Sequence, residues 1–187
     1  MTLDYYKGKS VLITGGSSGI GFAIARQLVS YGAKVSILAR DEQKLLEAKT
    51  ELDKGLTASG QPVCILSADV SQAEKLAVVL GNHLSAHGTP DILINAAGVA
   101  RPGYVEEIPL EVFQWTMDID YHGTVNMIKI LLPGMLERGS GHIINISSIA
   151  GVVGIFGYTA YSGAKFAVKG FTDALRSEIR SKGIKVS

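Results

Sequence analysis

Short apolar runs alternate along the chain with longer segments in which apolar residues recur at helical spacing. The short runs predict buried parallel strands, and the longer segments predict amphipathic helices. Strands are predicted at 10–14, 34–38, 62–67, 91–95, 142–147 and 184–187. Helices are predicted at 20–31, 42–56, 71–87, 109–137 and 160–182.

Strict alternation of strands and helices predicts a three-layer α/β domain of the Rossmann type, built on a doubly wound parallel sheet. Right-handed crossovers would bring the carboxyl end of every strand to one edge of that sheet. With 187 residues, 47% of them hydrophobic, the chain is expected to form a single domain over 1–187. The sheet would be truncated just after its sixth strand begins.

Charge and cysteine content limit the expected partners. The net charge of +1 arises from 18 basic and 17 acidic residues without a run of either sign, which predicts small-molecule partners and no nucleic acid. No apolar segment approaches the ~18 residues of a membrane span, so no transmembrane anchor is predicted. The single cysteine, Cys64, cannot form an internal disulfide, and a buried strand thiol in a cytoplasmic protein is expected.

A glycine-rich turn joins the first predicted strand to the first helix. Gly15 would allow a tight turn, Gly19 would let the backbone approach a pyrophosphate, and Gly21 would let helix and strand pack closely. The helix N-terminus would add free amides and a positive dipole. The spacing departs from the Gly-x-Gly-x-x-Gly fingerprint, so a plain strand-to-helix turn is the alternative. The predicted phosphate-binding loop also contains Ser17, Ser18 and Ile20.

The end of the second strand predicts a preference between the two nicotinamide cofactors. A carboxylate at this point binds the ribose 2′-hydroxyl of NAD, whereas an arginine accommodates the 2′-phosphate of NADP. Here Ala39 and Arg40 occupy the strand tip, and Lys44 adds a second cation nearby. We therefore expect NADPH/NADP, with a solvated helix face as the alternative interpretation of the two cations.

Two further strand ends carry candidate cofactor contacts. Asp69 and Val70 follow the third strand, where Asp69 is also a plausible helix N-cap. The residues after the fourth strand are small enough for a flat ring or a ribose to lie against the backbone, although close packing would explain them equally well. These residues are Asn95, Ala96, Ala97 and Gly98.

Three residues near the end of the chain suggest proton chemistry. Tyr161 and Lys165 are four positions apart and would share one face of a helix, where the cation would favour the phenolate. Ser148 follows the fifth strand, at the sheet edge where such folds place chemistry. Together these residues could interconvert a ketone and an alcohol, with the hydride coming from a cofactor. Two surface residues on a helix are the alternative for the Tyr-x-x-x-Lys pair.

Two histidines lie one turn apart on the third predicted helix. His83 and His87 have no cysteine or carboxylate cluster beside them in the sequence, so no metal site is predicted. Both side chains are expected at the surface.

Taken together, these motifs resemble the short-chain dehydrogenase/reductase family over essentially the whole chain. The residues that carry the resemblance, in the family's order and spacing, are Thr14, Gly15, Gly19, Gly21, Asn95, Ala96, Ala97, Gly98, Ser148, Tyr161 and Lys165. The resemblance implies that Tyr161 is the acid/base, that Lys165 lowers its pKa and holds the ribose, and that Ser148 orients the substrate. It also implies that Asp69 lies near the adenine and that the two long helices pair subunits into a homodimer or homotetramer.

Within that family, residues 154–162, 165–167, 16–18 and the Ala39–Arg40 pair look most like the 3-ketodihydrosphingosine reductases. This resemblance implies reduction of 3-ketosphinganine to sphinganine with NADPH. The apolar loop at 152–156 is compatible with an apolar ketone substrate, and also with core packing. Reduction of a 3-oxoacyl thioester, a steroid or a sugar is the alternative, as is a non-catalytic dinucleotide-binding protein.

The sequence departs from the family pattern in two places. Family members usually extend well past this length with a substrate-covering segment, so the chain is expected to be a fragment. Asp120 stands where the family typically has the asparagine of a proton relay. Aspartate could accept the same hydrogen bonds, and a cap or salt bridge elsewhere is the alternative for this residue.

Overall fold

The computed structural model describes residues 3–58 and 60–187 and contains one six-stranded parallel sheet. Its strands are β1 (Ser10–Thr14), β2 (Lys34–Ala39), β3 (Cys64–Ser67), β4 (Ile92–Asn95), β5 (Gly141–Asn145) and β6 (Ile184–Val186). They lie in the order β3-β2-β1-β4-β5-β6, which is the order of the dinucleotide-binding Rossmann fold. The predicted fold class is confirmed, and all six predicted strands are present.

Helices cover both faces of the sheet. They are α1 (Gly19–Ser30), α2 (Glu42–Asp53), α3 (Ala73–His87), α4 (Leu110–Met117), α5 (Gly123–Arg138) and α6 (Thr159–Ile179). Alternate residues of β1 explain the three layers: Leu12 packs in one apolar cluster with Ile128 of α5, whereas Val11 packs in the other with Leu28 of α1. This alternation follows from the two-residue period of a strand.

A π-helical turn interrupts the long helix that the sequence predicts over 109–137. Asp118–His122 forms this turn between α4 and α5. The Thr124 hydroxyl donates to the Asp120 carbonyl at 2.8 Å, which satisfies a backbone group within the distorted segment. The Asp120 side chain is only 1% exposed. Such turns are frequent at functional sites because the extra residue redirects side chains.

Helix α3 begins later than predicted, so Asp69 is not its N-cap. That position belongs to Gln72. The Asp69 carboxylate instead accepts from the Ser71 amide at 2.9 Å and from the Ser71 hydroxyl at 2.7 Å. These local bonds compete with helix formation and delay the start of α3.

The prediction of two surface histidines is wrong for His83, which is 8% exposed, while His87 is exposed. A cysteine does lie beside them, because His83 Nδ1 is 3.9 Å from the Sγ atom of the half-buried Cys64. Burial lowers the pKa of His83, and the charge of His87 lowers it further. Cys64 and His83 are 19 positions apart in the chain, so only the tertiary fold brings their side chains together.

A buried chain of polar side chains ties α6 to the sheet. The Asn95 amide donates to Asn145 Oδ1 at 2.9 Å, and the Asn145 amide donates to the Thr172 hydroxyl at 2.9 Å. Thr172 in turn donates to the Val168 carbonyl at 2.6 Å. The chain therefore links β4, β5 and α6, the helix that carries Tyr161.

Asn145→Leu should lower the free energy of unfolding by about 1–3 kcal/mol, because the Asn95 amide would be buried without its acceptor. Urea denaturation measures the change. Ser85→Ala is the control, since it removes a hydrogen bond from the exposed surface of α3. An equal loss of stability in both variants would show that the buried chain contributes nothing beyond an exposed bond.

Candidate active site

A cavity of about 210 Å³ opens at the carboxyl edge of the sheet, next to the point where the strand order reverses between β1 and β4. Nine predicted cofactor residues line it: Gly15, Ser17, Ser18, Arg40, Lys44, Asp69, Val70, Ala97 and Gly98. Six further residues line the cavity that no sequence motif predicted as cofactor-binding: Leu38, Ala39, Asp41, Ala68, Val99 and Ile119. Most of these directly adjoin a predicted residue, so extending each motif by one position would have found them.

The remaining predicted cofactor residues lie around this cavity rather than in its described lining. Ile20 is exposed at the start of α1, and Asn95 is buried in the polar chain below the site. The Ala96 amide donates to the Thr14 hydroxyl at 3.1 Å. The others are Gly19, Gly21, Tyr161 and Lys165.

The glycine turn fits a phosphate group. Gly15 has a φ of 67°, and a Cβ there would lie 2.9 Å from the Cα of Ala97. Gly19 has a φ of 55°, and a Cβ there would meet no described atom within 4 Å, which leaves its backbone open to a ligand. Ser18 precedes α1 without a side-chain cap to any described amide. The helix N-terminus therefore retains donors that an anion can use.

Two cations and two carboxylates share the opposite wall of the cavity. Arg40 Nη1 lies 3.8 Å from Asp69 Oδ2, and Lys44 Nζ lies 3.8 Å from Asp41 Oδ2. Asp41 also caps α2 by accepting from the Lys44 amide at 3.0 Å. Both ion pairs are long and both cations are exposed, so the pairs contribute little and leave the cations available to a phosphate.

The structure brings Tyr161 and Lys165 together on the first turns of α6. Lys165 Nζ lies 5.5 Å from the centre of the Tyr161 ring. Ser148 follows β5 and precedes a short 3₁₀ turn, where its hydroxyl accepts from the Ala150 amide at 3.1 Å. The hydroxyl proton of Ser148 remains free to donate, since this bond uses only a lone pair.

Asp120 lies beside Lys165 rather than at the surface. Lys165 is 5% exposed, donates to the Ile146 carbonyl at 3.1 Å, and places Nζ 3.2 Å from Asp120 Oδ2. The other carboxylate oxygen accepts from the Val99 amide at 2.7 Å. Burial raises the pKa of Asp120, while the charge of Lys165 and the Val99 amide oppose the increase. A Cβ at Gly98 would lie 3.3 Å from the carboxylate, so this ion pair needs a small residue there.

Exposed apolar side chains occupy the loops that precede α4 and α6. Phe156, on the loop before α6, is 84% exposed and lies 5.7 Å from the Tyr104 ring, centre to centre. The Gly103 amide donates to the Gly157 carbonyl at 2.9 Å and joins the two loops. The other exposed apolar residues on these loops are Val105, Ile149, Val152 and Val153. An apolar molecule could lie along this surface.

The short chain dehydrogenase family model matches residues 9–187. The chain belongs to this family. The family resemblance drawn from the sequence is thus confirmed, and family membership supports a nicotinamide dinucleotide as the cofactor. Among residues 3–58 and 60–187, none of the helices has both the length and the apolar character needed to cross a bilayer.

Curated relatives include a 3-dehydrosphinganine reductase of Danio rerio and a 3-ketodihydrosphingosine reductase of Bos taurus, each 39% identical over 181 residues. These matches cover 96% of this chain and 54% of each relative, so the chain spans about half their length. A solved structure of L-sorbose reductase from Gluconobacter frateurii, complexed with NADPH and L-sorbose, has a TM-score of 0.88 and 32% identity. That match covers 96% of this chain and 67% of the other.

Asp120→Asn should change how stability depends on pH. Burial raises the pKa of the Asp120 carboxyl in the folded state above its usual 3.8, so protonation of this carboxyl stabilises the folded state. That contribution is complete below the unfolded pKa and is lost as the pH rises through the folded pKa. As the pH rises above about 4, the free energy of unfolding of the wild type should therefore fall relative to that of the asparagine variant, and urea denaturation at several pH values measures this difference.

Glu137→Gln is the matched control, because it removes one negative charge from an exposed position on α5. Its stability should follow that of the wild type more closely over the same range. If the wild type instead gains stability relative to Asp120→Asn as the pH rises, attraction to Lys165 outweighs burial and the pKa of Asp120 is lowered rather than raised.

Proposed function

We propose that this chain is the catalytic, NADPH-binding part of a ketone reductase whose substrate is 3-ketosphinganine and whose product is sphinganine. The observation that carries the proposal is the position of Ser148, Tyr161 and the buried Lys165 at the same sheet edge as the cavity of about 210 Å³. The similarity to sphinganine-forming reductases supports the choice of substrate.

The residues around the cavity fit an NADPH molecule. The open backbone at Gly19 and the uncapped N-terminus of α1 suit its pyrophosphate. Arg40 and Lys44 suit the 2′-phosphate, because both cations are exposed and their described carboxylate partners are 3.8 Å away. We assign contacts with the adenine and nicotinamide halves of NADPH to the remaining predicted residues: Ser17, Ser18, Ile20, Gly21, Asp69, Val70, Asn95, Ala96, Ala97 and Gly98.

A bound NADPH would supply a hydride for the carbonyl carbon, and the side chains of this chain would supply the proton. The Tyr161 hydroxyl donates its proton to the carbonyl oxygen, while the Ser148 hydroxyl holds that oxygen by a hydrogen bond. The ammonium group of Lys165 would offset the negative charge of the phenolate that remains, and Lys165 would also hold the cofactor ribose. Asp120 holds the ammonium group of Lys165 in place through the 3.2 Å ion pair.

The apolar side chains around Phe156 and Tyr104 suit the alkyl chain of a sphingoid ketone. Reduction of a different ketone remains the alternative, and a panel of ketones with NADPH distinguishes the two. Faster turnover of a sugar or a 3-oxoacyl thioester than of 3-ketosphinganine would refute the substrate assignment. A cytoplasmic location and a homo-oligomeric state stay predictions from the sequence.

Tyr161→Phe should reduce ketone turnover by about 10²- to 10⁴-fold, because phenylalanine fills the same volume without a proton to donate. Steady-state kinetics and NADPH binding are measured on the same preparations, and binding should change little. Tyr158→Phe is the control, since its ring lies 6.1 Å from that of Tyr161 and loses the same hydroxyl group. Similar losses in both variants would argue against Tyr161 as the acid.

Arg40→Ala should weaken NADPH binding about tenfold or more and leave NADH binding nearly unchanged, because a charge-assisted hydrogen bond contributes roughly 1.5–3 kcal/mol. Fluorescence titration gives both dissociation constants. Arg180→Ala, at an exposed site beyond α6, controls for the loss of one positive charge. Equal affinities of the wild type for NADH and NADPH would rule out the 2′-phosphate contact.

A further inference from the structure

Three potential metal ligands converge at the amino edge of the sheet, opposite the proposed active site. Cys64 is the first residue of β3, and His83 and His87 lie on the last two turns of α3. One ligand atom from each residue can be chosen so that all three lie within 4.8 Å of one another. We propose that these three side chains form a Zn²⁺ site.

The distances are close to those of a tetrahedral zinc site. Bond lengths of about 2.0–2.1 Å to nitrogen and about 2.3 Å to sulfur place nitrogen and sulfur ligands about 3.6 Å apart. The distance between Cys64 Sγ and His83 Nδ1 is 3.9 Å, so this pair needs to approach only slightly. The two imidazole rings are 4.7 Å apart, centre to centre, on adjacent turns of one helix. Small rotations of the two histidine side chains would bring a ring nitrogen of His87 within bonding distance of an ion held by Cys64 and His83.

The chemistry of the ligands selects the ion. A thiolate with two imidazoles favours a soft or borderline cation, whereas Mg²⁺ and Ca²⁺ prefer oxygen ligands. The C-terminal end of α3 carries the negative end of the helix dipole, which favours a cation beside His87. Binding would release the Cys64 thiol proton to solvent.

The surroundings leave room for a fourth ligand. A cavity of about 270 Å³ is lined by all three side chains, together with Ser36, Pro62 and Pro90. A water molecule in this cavity would complete a three-ligand zinc site of the open type. The ion would fasten the edge strand β3 to α3, so its binding should also stabilise the fold.

Cobalt spectroscopy tests the proposal, because Cys64 is the only cysteine of the chain and any thiolate-to-metal absorption identifies it. The chelator-treated chain is titrated with Co²⁺ and then with Zn²⁺, without cofactor. We expect one equivalent of Co²⁺ to produce a thiolate charge-transfer band and the intense visible bands of tetrahedral cobalt. Zn²⁺ should remove these bands and raise the melting temperature. An absence of the charge-transfer band in the wild type would overturn the proposal.

Substitutions identify the ligands. Cys64→Ser should abolish the charge-transfer band, and His87→Asn should weaken Zn²⁺ binding by about 100-fold, since loss of an outer-shell partner alone costs 10- to 100-fold. His122→Asn is the control, because it removes an exposed histidine from another part of the chain. His87 is itself exposed, so its variant should fold even if Cys64→Ser does not. Unchanged affinity in His87→Asn, or an equal loss in His122→Asn, would refute the three-ligand site.

Discussion

Because all six strands run in the same direction, every strand delivers the residues that follow it to one edge of the sheet. Arg40, Asp69, Gly98 and Ser148 follow four different strands and come from four parts of the chain, yet they gather at this edge. The connections diverge between β1 and β4, and the crevice that results is the cavity of the site. The proposed cofactor site therefore depends on the parallel register more than on any single contact.

The buried ion pair between Lys165 and Asp120 is the chief electrostatic feature of the site. Removing two charges from water is costly, so such a pair is weak evidence for stability. Its location beside Tyr161 suggests that it serves function, because perturbed ionisable groups concentrate at functional sites. The backbone accommodates the pair in two ways: a π-helical turn brings Asp120 inward, and Gly98 leaves space above it.

The edge strand β3 runs from the amino edge of the sheet to its carboxyl edge. Within residues 3–58 and 60–187 it pairs only with β2, and it is four residues long, so it has fewer sheet contacts than the central strands. Cys64 begins this strand at the amino edge, and Asp69 follows it at the carboxyl edge, where it lines the cofactor cavity. An interaction that holds Cys64 to α3 would therefore also restrain the segment that carries Asp69.

The sequence by itself determined the six strands, the glycine turn and the Tyr161–Lys165 pair, because each depends on local periodicity or on residues a few positions apart. It also placed Ser148 and Arg40 at strand ends, from which the parallel sheet implies a shared edge. Tertiary structure alone decided the π-helical turn, since the burial of Asp120 beside Lys165 depends on the packing of this segment against α6. It also decided the contacts of Asn145 with Thr172 and of Cys64 with His83, because these join residues that only packing brings together.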